Sequence, residues 1–447
     1  MVDSTTEART PSAARPPSEA RLREVRAQLV EHLNEGIMPF WTQRGVDPLH
    51  GGYLTCFDAE GRLVEEDTDK YIVTQTRMIW GFSTFHQIDP TDDRYTRYAR
   101  QGVDFLIEHF WDAEHGGWAW KVARKGALLD NGKVVYGQSF AIYALATTTL
   151  ATGDARGLDY AERTFDLLQR YAVDTARGGY YENLEPDWQL SPGGFCAGDR
   201  KSLDIHMHLL EAFTVLAQVS GKEIHRRRLE EVIDVILTHM IDPEHGCGGN
   251  QYDLDFNPIP AIAIRRTFNA EREGELVAAP TDTTSYGHNI ELAWLLVRAG
   301  EVLGKPRDAY EEVVRRLVDH ALAYGLDRVH GGVYRDGPHA GPALVRDKEF
   351  WQNAEALVGF LDAYEITRDE RYLEAFELVW GFASRHLINR ELGEWITLVR
   401  ETGEPLVAGI GSPWKACYHS GRAIHEAIQR IDLLLAVENQ VEGVRFG

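Results

Sequence analysis

The sequence has few cysteines, a shortage of basic residues and no long apolar run. Its four cysteines are scattered without a CxxC pair, which argues against a disulfide framework and a zinc knuckle. With 47 Lys and Arg against 69 Asp and Glu, the net charge is −22, so nucleic acids and anionic membrane surfaces are unfavourable partners. No stretch approaches the roughly 18 apolar residues of a membrane span. We therefore expect a cytoplasmic protein with reduced thiols and no membrane or nucleic-acid partner.

Motifs for cofactors are missing too. There is no GxGxxG or GxxxxGK[ST] loop that would hold phosphates, and no HExxH pair for zinc. We expect neither a nucleotide nor a metal cofactor. The first 19 residues lack the apolar core of a signal peptide, and their composition predicts a disordered N-terminal tail.

What the sequence does contain is a repeated pair of glycines, with a looser sixth copy. The marker glycines are separated by 65, 62, 70, 83 and 61 residues, and they are Gly52, Gly117, Gly179, Gly249, Gly332 and Gly393. Glycine allows the positive φ of tight turns, so we expect a short hairpin at each marker. A period of this size is typical of repeat architectures.

Apolar residues between the markers recur at i, i+3, i+4 and i+7, which predicts twelve helices. They are Arg21–Phe40, Val73–His86, Tyr95–Phe110, Val134–Leu150, Leu158–Tyr171, Ser202–Val219, Glu223–Met240, Ser285–Leu303, Ala309–Tyr324, Phe350–Ile366, Arg371–His386 and Trp414–Leu435. Each marker follows an odd-numbered helix and precedes an even-numbered one. The chain therefore contains six helical hairpins.

The even helices are apolar nearly all round, and the odd helices are amphipathic, which favours an inner and an outer ring. We predict an all-α fold, an (α/α)6 barrel of six helical hairpins with short Gly-rich, β-hairpin-like turns at the active-site end. We expect residues 20–438 to form one catalytic domain and residues 439–447 to form a C-terminal tail. An open α-solenoid is the alternative arrangement of the same repeats.

Unusual polar and aromatic residues cluster at the start of every even helix. Parallel inner helices bring these ends to one mouth of the barrel. The candidates are Arg77, Tyr136, Gln138, Asp204, His208, His288, Glu291, Trp351, Glu355, Trp414 and His419.

The spacings indicate which of these side chains share a helix face. Asp204 and His208 are separated by four residues, and His288 and Glu291 by three, so each pair can meet. A neighbouring carboxylate orients an imidazole and raises its pKa. His206 lies two residues from His208, so the two cannot both face inward. This pair also lacks the helical spacing that two ligands of one metal need, so we expect no catalytic metal. Trp351 and Trp414 are suited to stacking on a sugar ring, the small-molecule partner we expect.

Three segments make the chain resemble the N-acylglucosamine 2-epimerase superfamily, which includes cellobiose 2-epimerases, mannose 2-epimerases and mannose isomerases. They are Ser285–Glu291, Trp351–Ala356 and Pro413–Arg422, and the resemblance extends from about Glu19 to Glu438. It implies an (α/α)6 barrel without a metal or nucleotide.

By the same resemblance, His288 and His419 match the acid/base histidines and His208 a third functional histidine. Arg77 matches an arginine near the reacting oxygens, and the two tryptophans match sugar contacts.

Two departures from the cellobiose 2-epimerase pattern, at Asp204 and Asn289, are similar to the mannose 2-epimerase branch. The implied function is interconversion of D-mannose and D-glucose through an enediolate, with two histidines exchanging the C2 proton.

Several alternatives stay open. A cellobiose 2-epimerase and an aldose–ketose (mannose) isomerase would use the same residues. A glycoside hydrolase would need a carboxylate pair at the mouth, and a non-catalytic sugar-binding protein would need only the cavity. We expect a monomer or homodimer. The segment Asn257–Asp282, in the longest repeat, is a candidate lid.

Overall fold

The computed structural model describes residues 19–260, 264–266 and 282–445, and their side chains as far as residue 436. In this part of the chain, twelve helices alternate between two rings. The outer helices are α1 (Glu19–Glu31, continued by His32–Ile37 and Met38–Arg44), α3 (Asp93–His109), α5 (Ala155–Leu167), α7 (Glu223–Val235), α9 (Glu311–His320) and α11 (Glu370–Phe382). The inner helices are α2 (Ile72–Ile88), α4 (Val135–Thr152), α6 (Leu203–Ser220), α8 (Tyr286–Val302), α10 (Phe350–Thr367) and α12 (Cys417–Arg445).

The inner helices close into a ring. Each inner helix packs against the next one along the chain, and α12 packs against α2. Every residue of α4 from Val135 to Thr148 is buried, as expected for a helix covered on all sides. The predicted (α/α)6 barrel is confirmed, and closure of the ring rules out the open solenoid.

The Gly-Gly markers form tight turns at the mouth. In the first turn, Gly51 and Gly52 have φ of 76° and 62°, and Val46 bridges to Tyr53 in antiparallel fashion. Such a bridge closes all six turns; the other five join Trp111 to Trp118, Val173 to Tyr180, Ile241 to Gly248, Leu326 to Val333 and Ile388 to Trp395. The predicted hairpin-like turns are therefore present.

Short strands connect successive hairpins around the mouth, a feature that the helical periodicity does not predict. They are β1 (Lys70–Tyr71), β2 (Lys121–Val122), β3 (Leu128–Asp130), β4 (Lys133–Val134), β5 (Asn183–Leu184), β6 (Arg200–Ser202), β7 (Gln251–Asp253), β8 (Thr283–Ser285), β9 (Asp336–Pro338), β10 (Lys348–Glu349), β11 (Leu398–Val399) and β12 (Pro405–Val407). All pairs are antiparallel: β1–β2–β3, β4–β5, β6–β7, β8–β9 and β10–β11–β12. A strand of these sheets directly precedes α2, α4, α6, α8 and α10 and so fixes where each of these five inner helices begins.

A buried lysine clasps the turn to the following inner helix. In the first hairpin, Lys70 Nζ lies 3.1 Å from Asp47 Oδ2 and donates to the carbonyl of Gly51. The same ion pair joins Lys133 to Asp112, Lys201 to Asp174 and Lys348 to Asp327, at 2.8–3.0 Å. Because these ammonium groups are buried and fully paired, each clasp specifies the position of a turn relative to its helix.

A few predictions concern the chain ends and one insertion. Residues 1–18 of the predicted tail, and residues 261–263 and 267–281 of the candidate lid, lie outside the described residues. Residues 439–445, assigned above to a C-terminal tail, belong to α12. The four cysteines are free. Among the described helices, none is both long and apolar enough to cross a membrane.

Candidate active site

The cavity opens at the mouth, where the inner helices start. The lysine preceding each helix provides a reference position, and in α8 Thr284 occupies that position. Inward-facing side chains fall three or four residues later (Tyr136, Asp204, Trp351, His288, His419) or seven residues later (Arg77, His208, Glu291, Glu355, Arg422). A helix turns by about 100° per residue, so these positions share one face. They form two layers, one above the other.

Two tryptophans form parts of the cavity wall. The Trp351 ring centroid lies 4.7 Å from that of His288 and 5.6 Å from that of His419. The Trp414 ring packs against Trp120 at 5.5 Å. Trp414 does not open α12, as the periodicity predicted, because the Ser412 hydroxyl accepts from its amide in a turn before Cys417. An apolar ring beside two imidazoles suits a sugar's C–H face.

His208 lies between two carboxylates. Its Nδ1 is 3.0 Å from Glu211 Oε2, and its Nε2 is 3.3 Å from Asp204 Oδ1. Burial opposes the charged form, but the hydrogen bonds to Asp204 and Glu211 raise the pKa of His208 to about 9. His208 is therefore an imidazolium at neutral pH, able to donate a proton or stabilise negative charge.

His419 has the opposite character. Its Nδ1 lies 2.7 Å from Glu355 Oε1. Burial, followed by the positive charges of Arg77 and Arg422, holds the pKa of His419 well below its usual range. A neutral imidazole that donates Nδ1–H to a carboxylate carries its lone pair on Nε2. His419, which lines the cavity, is therefore suited to act as a base.

His288 is the more accessible of the three histidines. Its side chain is 21% exposed, and its Nε2 lies 3.5 Å from Asp204 Oδ1. Asp204 therefore contacts both His208 and His288. His288 on α8 and His419 on α12 reach the cavity from either side of α10, which carries Trp351 between them.

Arg77 is a buried cation at the cavity edge. Its Nη2 donates to the Tyr136 hydroxyl at 3.0 Å, and its Nη1 donates to the carbonyl of Trp414. The guanidinium also lies over the Phe140 ring at 4.6 Å. Arg77 and Tyr136 both line the cavity. A fixed guanidinium here can stabilise an oxyanion that forms on a bound ligand.

A buried arginine network lies beneath the cavity; Glu291 and Glu355 were predicted site residues, whereas Arg422 and Glu211 were not. Arg422 is 1% exposed, and its guanidinium contacts the carboxylates of Glu211, Glu291 and Glu355. Glu211 also accepts from the Tyr418 hydroxyl. The signal was available, because Glu211 lies three residues after His208 and Arg422 three after His419.

Glu291 is a carboxyl group poised between its two protonation states. Its Oε1 accepts from Arg422, whereas its buried Oε2 has no hydrogen-bond partner. Burial, and then the nearby charge of Glu355, raise the pKa of Glu291 to about 7, although Arg422 opposes this. Glu291 lines the cavity and can hold a proton there at neutral pH.

Gln138 does not reach the cavity. Its Oε1 accepts from the Trp118 amide at 3.0 Å and so holds the second Gly-Gly turn. It lies five residues after Lys133, and the same position holds His206 against the Tyr180 amide. Asn289 likewise accepts from the Gly248 amide at 2.8 Å. The position five residues after the reference faces the turn, away from the ligand.

Two groups in the described part of the chain bring enough carboxylate and imidazole atoms together to share a cation. Glu291, Glu355 and His419 converge beneath the cavity, where the Arg422 guanidinium already contacts both carboxylates. The second group is Asp242, His245 and His339, outside the cavity lining. In the first group, the arginine supplies the positive charge that the carboxylates require.

Comparison with known proteins agrees with this geometry. The family model for N-acylglucosamine 2-epimerase matches residues 52–423. The cellobiose 2-epimerase of Bacteroides fragilis is 29% identical over 90% of this chain and 98% of its own length. A D-mannose isomerase of Marinomonas mediterranea is 23% identical over 89% of this chain and 96% of its own. The solved cellobiose 2-epimerase of Spirochaeta thermophila is 32% identical, with a TM-score of 0.77, over 93% of this chain and 98% of that one.

Proposed function

The chain belongs to the N-acylglucosamine 2-epimerase family of carbohydrate epimerases and isomerases, and we propose that it interconverts D-mannose and D-glucose by inversion at C2. The observation that carries this proposal is the pair His288 and His419, which approach the cavity on either side of Trp351. Inversion at carbon needs one group to remove a proton and another to supply one from the opposite face.

The proposed reaction starts from the open-chain aldose. His419 Nε2 takes the C2 proton, and the electron pair of the C2–H bond moves toward the C1 carbonyl to form an enediolate. Arg77 and the His208 imidazolium stabilise the developing negative charge, together with the N-terminal ends of the inner helices. His288 then delivers a proton to the other face of C2. In the reverse direction, the two histidines exchange roles.

The same enediolate can be protonated at C1, which would give the ketose fructose. The product depends on which carbon of the enediolate faces the donating imidazole. The same site could therefore also act as an aldose–ketose isomerase. Hydrolysis of a glycoside is less favoured. Glu291 and Glu355 both contact the Arg422 guanidinium, which occupies the carboxylates that an acid/base pair of a glycosidase would need.

Cellobiose is a second candidate substrate, because cellobiose 2-epimerases are among the relatives and the solved structures. Of the two departures from the cellobiose pattern, Asn289 holds a turn and does not face the ligand. Asp204 contacts both His208 and His288 and lines the cavity, so it carries the argument for the monosaccharide.

Proton NMR in D2O tests the proposal, with D-mannose and cellobiose supplied separately to EDTA-treated protein. We expect glucose deuterated at C2 from mannose. Fructose would instead assign isomerase activity, and exchange only with cellobiose would assign the disaccharide. No exchange with either sugar would contradict the two-histidine mechanism. His288→Ala and His419→Ala should each abolish exchange while the circular dichroism spectrum stays that of the wild type.

A further inference from the structure

We propose that Arg422 is the positioning residue of the reaction centre, holding Glu211 and Glu355 against the imidazoles of His208 and His419. This inference rests on the proposed function, because it concerns the proton transfers of the same site. Arg422 is outside the cavity lining, so it acts through the carboxylates that it contacts, which also include Glu291 of the lining.

The contacts place one planar group between two carboxylate–histidine pairs. Nη1 of Arg422 donates to Glu211 Oε1, and Nη2 donates to Glu355 Oε1 at 2.7 Å. Glu355 Oε1 also accepts from His419 Nδ1 at 2.7 Å, and the other oxygen of Glu211 lies 3.0 Å from His208 Nδ1. Because the guanidinium fork is rigid, it fixes the distance between the two pairs.

The rings around Arg422 hold the guanidinium in its plane. Its central carbon lies 4.7 Å from the Trp294 ring centroid and 4.1 Å from that of Tyr418. Trp294 also donates to Glu355 Oε2 at 3.1 Å, and Tyr418 donates to Glu211. The carboxylates are thus held from both sides, which leaves each histidine one orientation for the Nδ1 hydrogen bond.

The electrostatic consequence differs between the two histidines. Burial, Arg77 and Arg422 lower the pKa of His419, whereas Asp204 and Glu211 raise that of His208 to about 9. Several charged or titratable groups of the other inner helices surround His419, namely Arg77, His208, Glu211, Glu291 and Glu355. Without the Arg422 charge, these carboxylates are uncompensated, and His419 should bind a proton more readily.

Arg430 provides a matched control in the same helix. It is also buried, pairs with Asp362 at 2.8 Å and with Glu426, and lies over the same Trp294 ring at 5.6 Å. It contacts no histidine of the cavity. A purely structural role for Arg422 would make substitutions at the two arginines equivalent.

The experiment compares Arg422→Met and Arg422→Lys with Arg430→Met and Arg430→Lys. For Arg422→Met, we expect kcat to fall by about 100-fold or more with little change in KM, and the acidic limb of the kcat/KM profile to move to higher pH. Arg422→Lys keeps the charge but cannot bridge two carboxylates, so kcat should fall by about tenfold while the limb stays in place. The Arg430 variants should lower Tm without changing kcat or the profile.

Titration of ¹³Cε1-labelled histidines by NMR gives a readout that does not depend on turnover. In Arg422→Met, the His419 resonance should titrate at higher pH than in the wild type, and in Arg430→Met it should not. Equal shifts in both, or kcat within about threefold of wild type in both Arg422 variants, would overturn the proposal. If Arg422→Met does not fold, Arg422→Lys carries the test. If the wild type exchanges no sugar proton, the proposed function fails, while the NMR comparison still tests the positioning.

Discussion

Replacing Glu355 by glutamine should reduce turnover through His419. Glu355 Oε1 accepts from His419 Nδ1 and from Arg422, both at 2.7 Å, while Oε2 accepts from Trp294 at 3.1 Å. A glutamine has one acceptor oxygen. If the amide NH2 faces His419, that hydrogen bond is lost; if it faces Trp294, His419 keeps a bond only to a neutral oxygen, and the charge-assisted part of the bond is lost.

The size of the effect follows from the bond that is lost. A hydrogen bond to a charged group contributes about 1.5–3 kcal/mol, and about 1.4 kcal/mol corresponds to a factor of ten in rate. We therefore expect kcat of Glu355→Gln to fall by about 10- to 150-fold. KM should change little, because Glu355 is outside the cavity lining.

The assay is deuterium incorporation at C2 of the sugar, measured alongside Tm. Asp362→Asn is the control, since Asp362 is buried in the same helix and pairs with Arg430 and Arg307, each at 2.8 Å. Both variants should be less stable, but only Glu355→Gln should lose turnover in properly folded protein. If Glu355→Gln is no slower than Asp362→Asn, the carboxylate does not orient His419 and this reasoning is wrong.

Three further perturbations have expected outcomes. The folded-state pKa of His208 is about 9, above its ordinary 6.5. Its contribution of about 3 kcal/mol to the free energy of unfolding is therefore present below pH 6.5 and is lost as pH rises through 9. Between these pH values, Tm of the wild type should fall more steeply than Tm of His208→Gln, and parallel Tm curves would contradict this prediction. Lys348→Met removes the buried ammonium partner of Asp327, leaving its carboxylate with His330 and backbone amides, and should cost about 3 kcal/mol of unfolding free energy. Lys121→Met removes a half-exposed pair with Asp69 and should cost under about 1 kcal/mol; both are measured by urea denaturation. Trp351→Ala should raise KM about five- to thirtyfold by removing about 1–2 kcal/mol of apolar contact, and an unchanged KM in steady-state assays would exclude sugar stacking there.

The helical periodicity predicted the fold well because each hairpin carries its own local pattern. The twelve helices appear close to the predicted places, although α12 begins at Cys417 and not at Trp414. Ser202 and Ser285 cap α6 and α8 by accepting from backbone amides. The strands that join neighbouring hairpins were not predicted. Their partners are distant in sequence, as Lys70 and Val122 are, and two-residue strands leave no alternation to detect.

The site was predicted in outline for a similar reason. Clustering at helix starts located the mouth, but it did not separate Gln138, which faces a turn, from Tyr136, which faces the cavity. That separation needs a rotational reference, which Lys133 supplies once its pairing with Asp112 is known. Arg422 was not predicted, because the three carboxylates that it contacts lie on three other inner helices, α6, α8 and α10. All three are distant from Arg422 in sequence.

Counted from the clasp lysine, each repeat has positions that maintain the architecture and a position that supplies a functional group. The clasp and the side chain five residues later maintain the architecture, as in Lys201 with His206. The side chain seven residues after the reference varies freely in chemistry: arginine at 77, phenylalanine at 140, histidine at 208 and glutamate at 291. Repeated hairpins can thus differ in one functional group at a time while the clasp and the turn contacts stay the same. A laboratory library restricted to that layer, with the buried pair of Arg422 and Glu355 retained, would test new reactions on the same barrel.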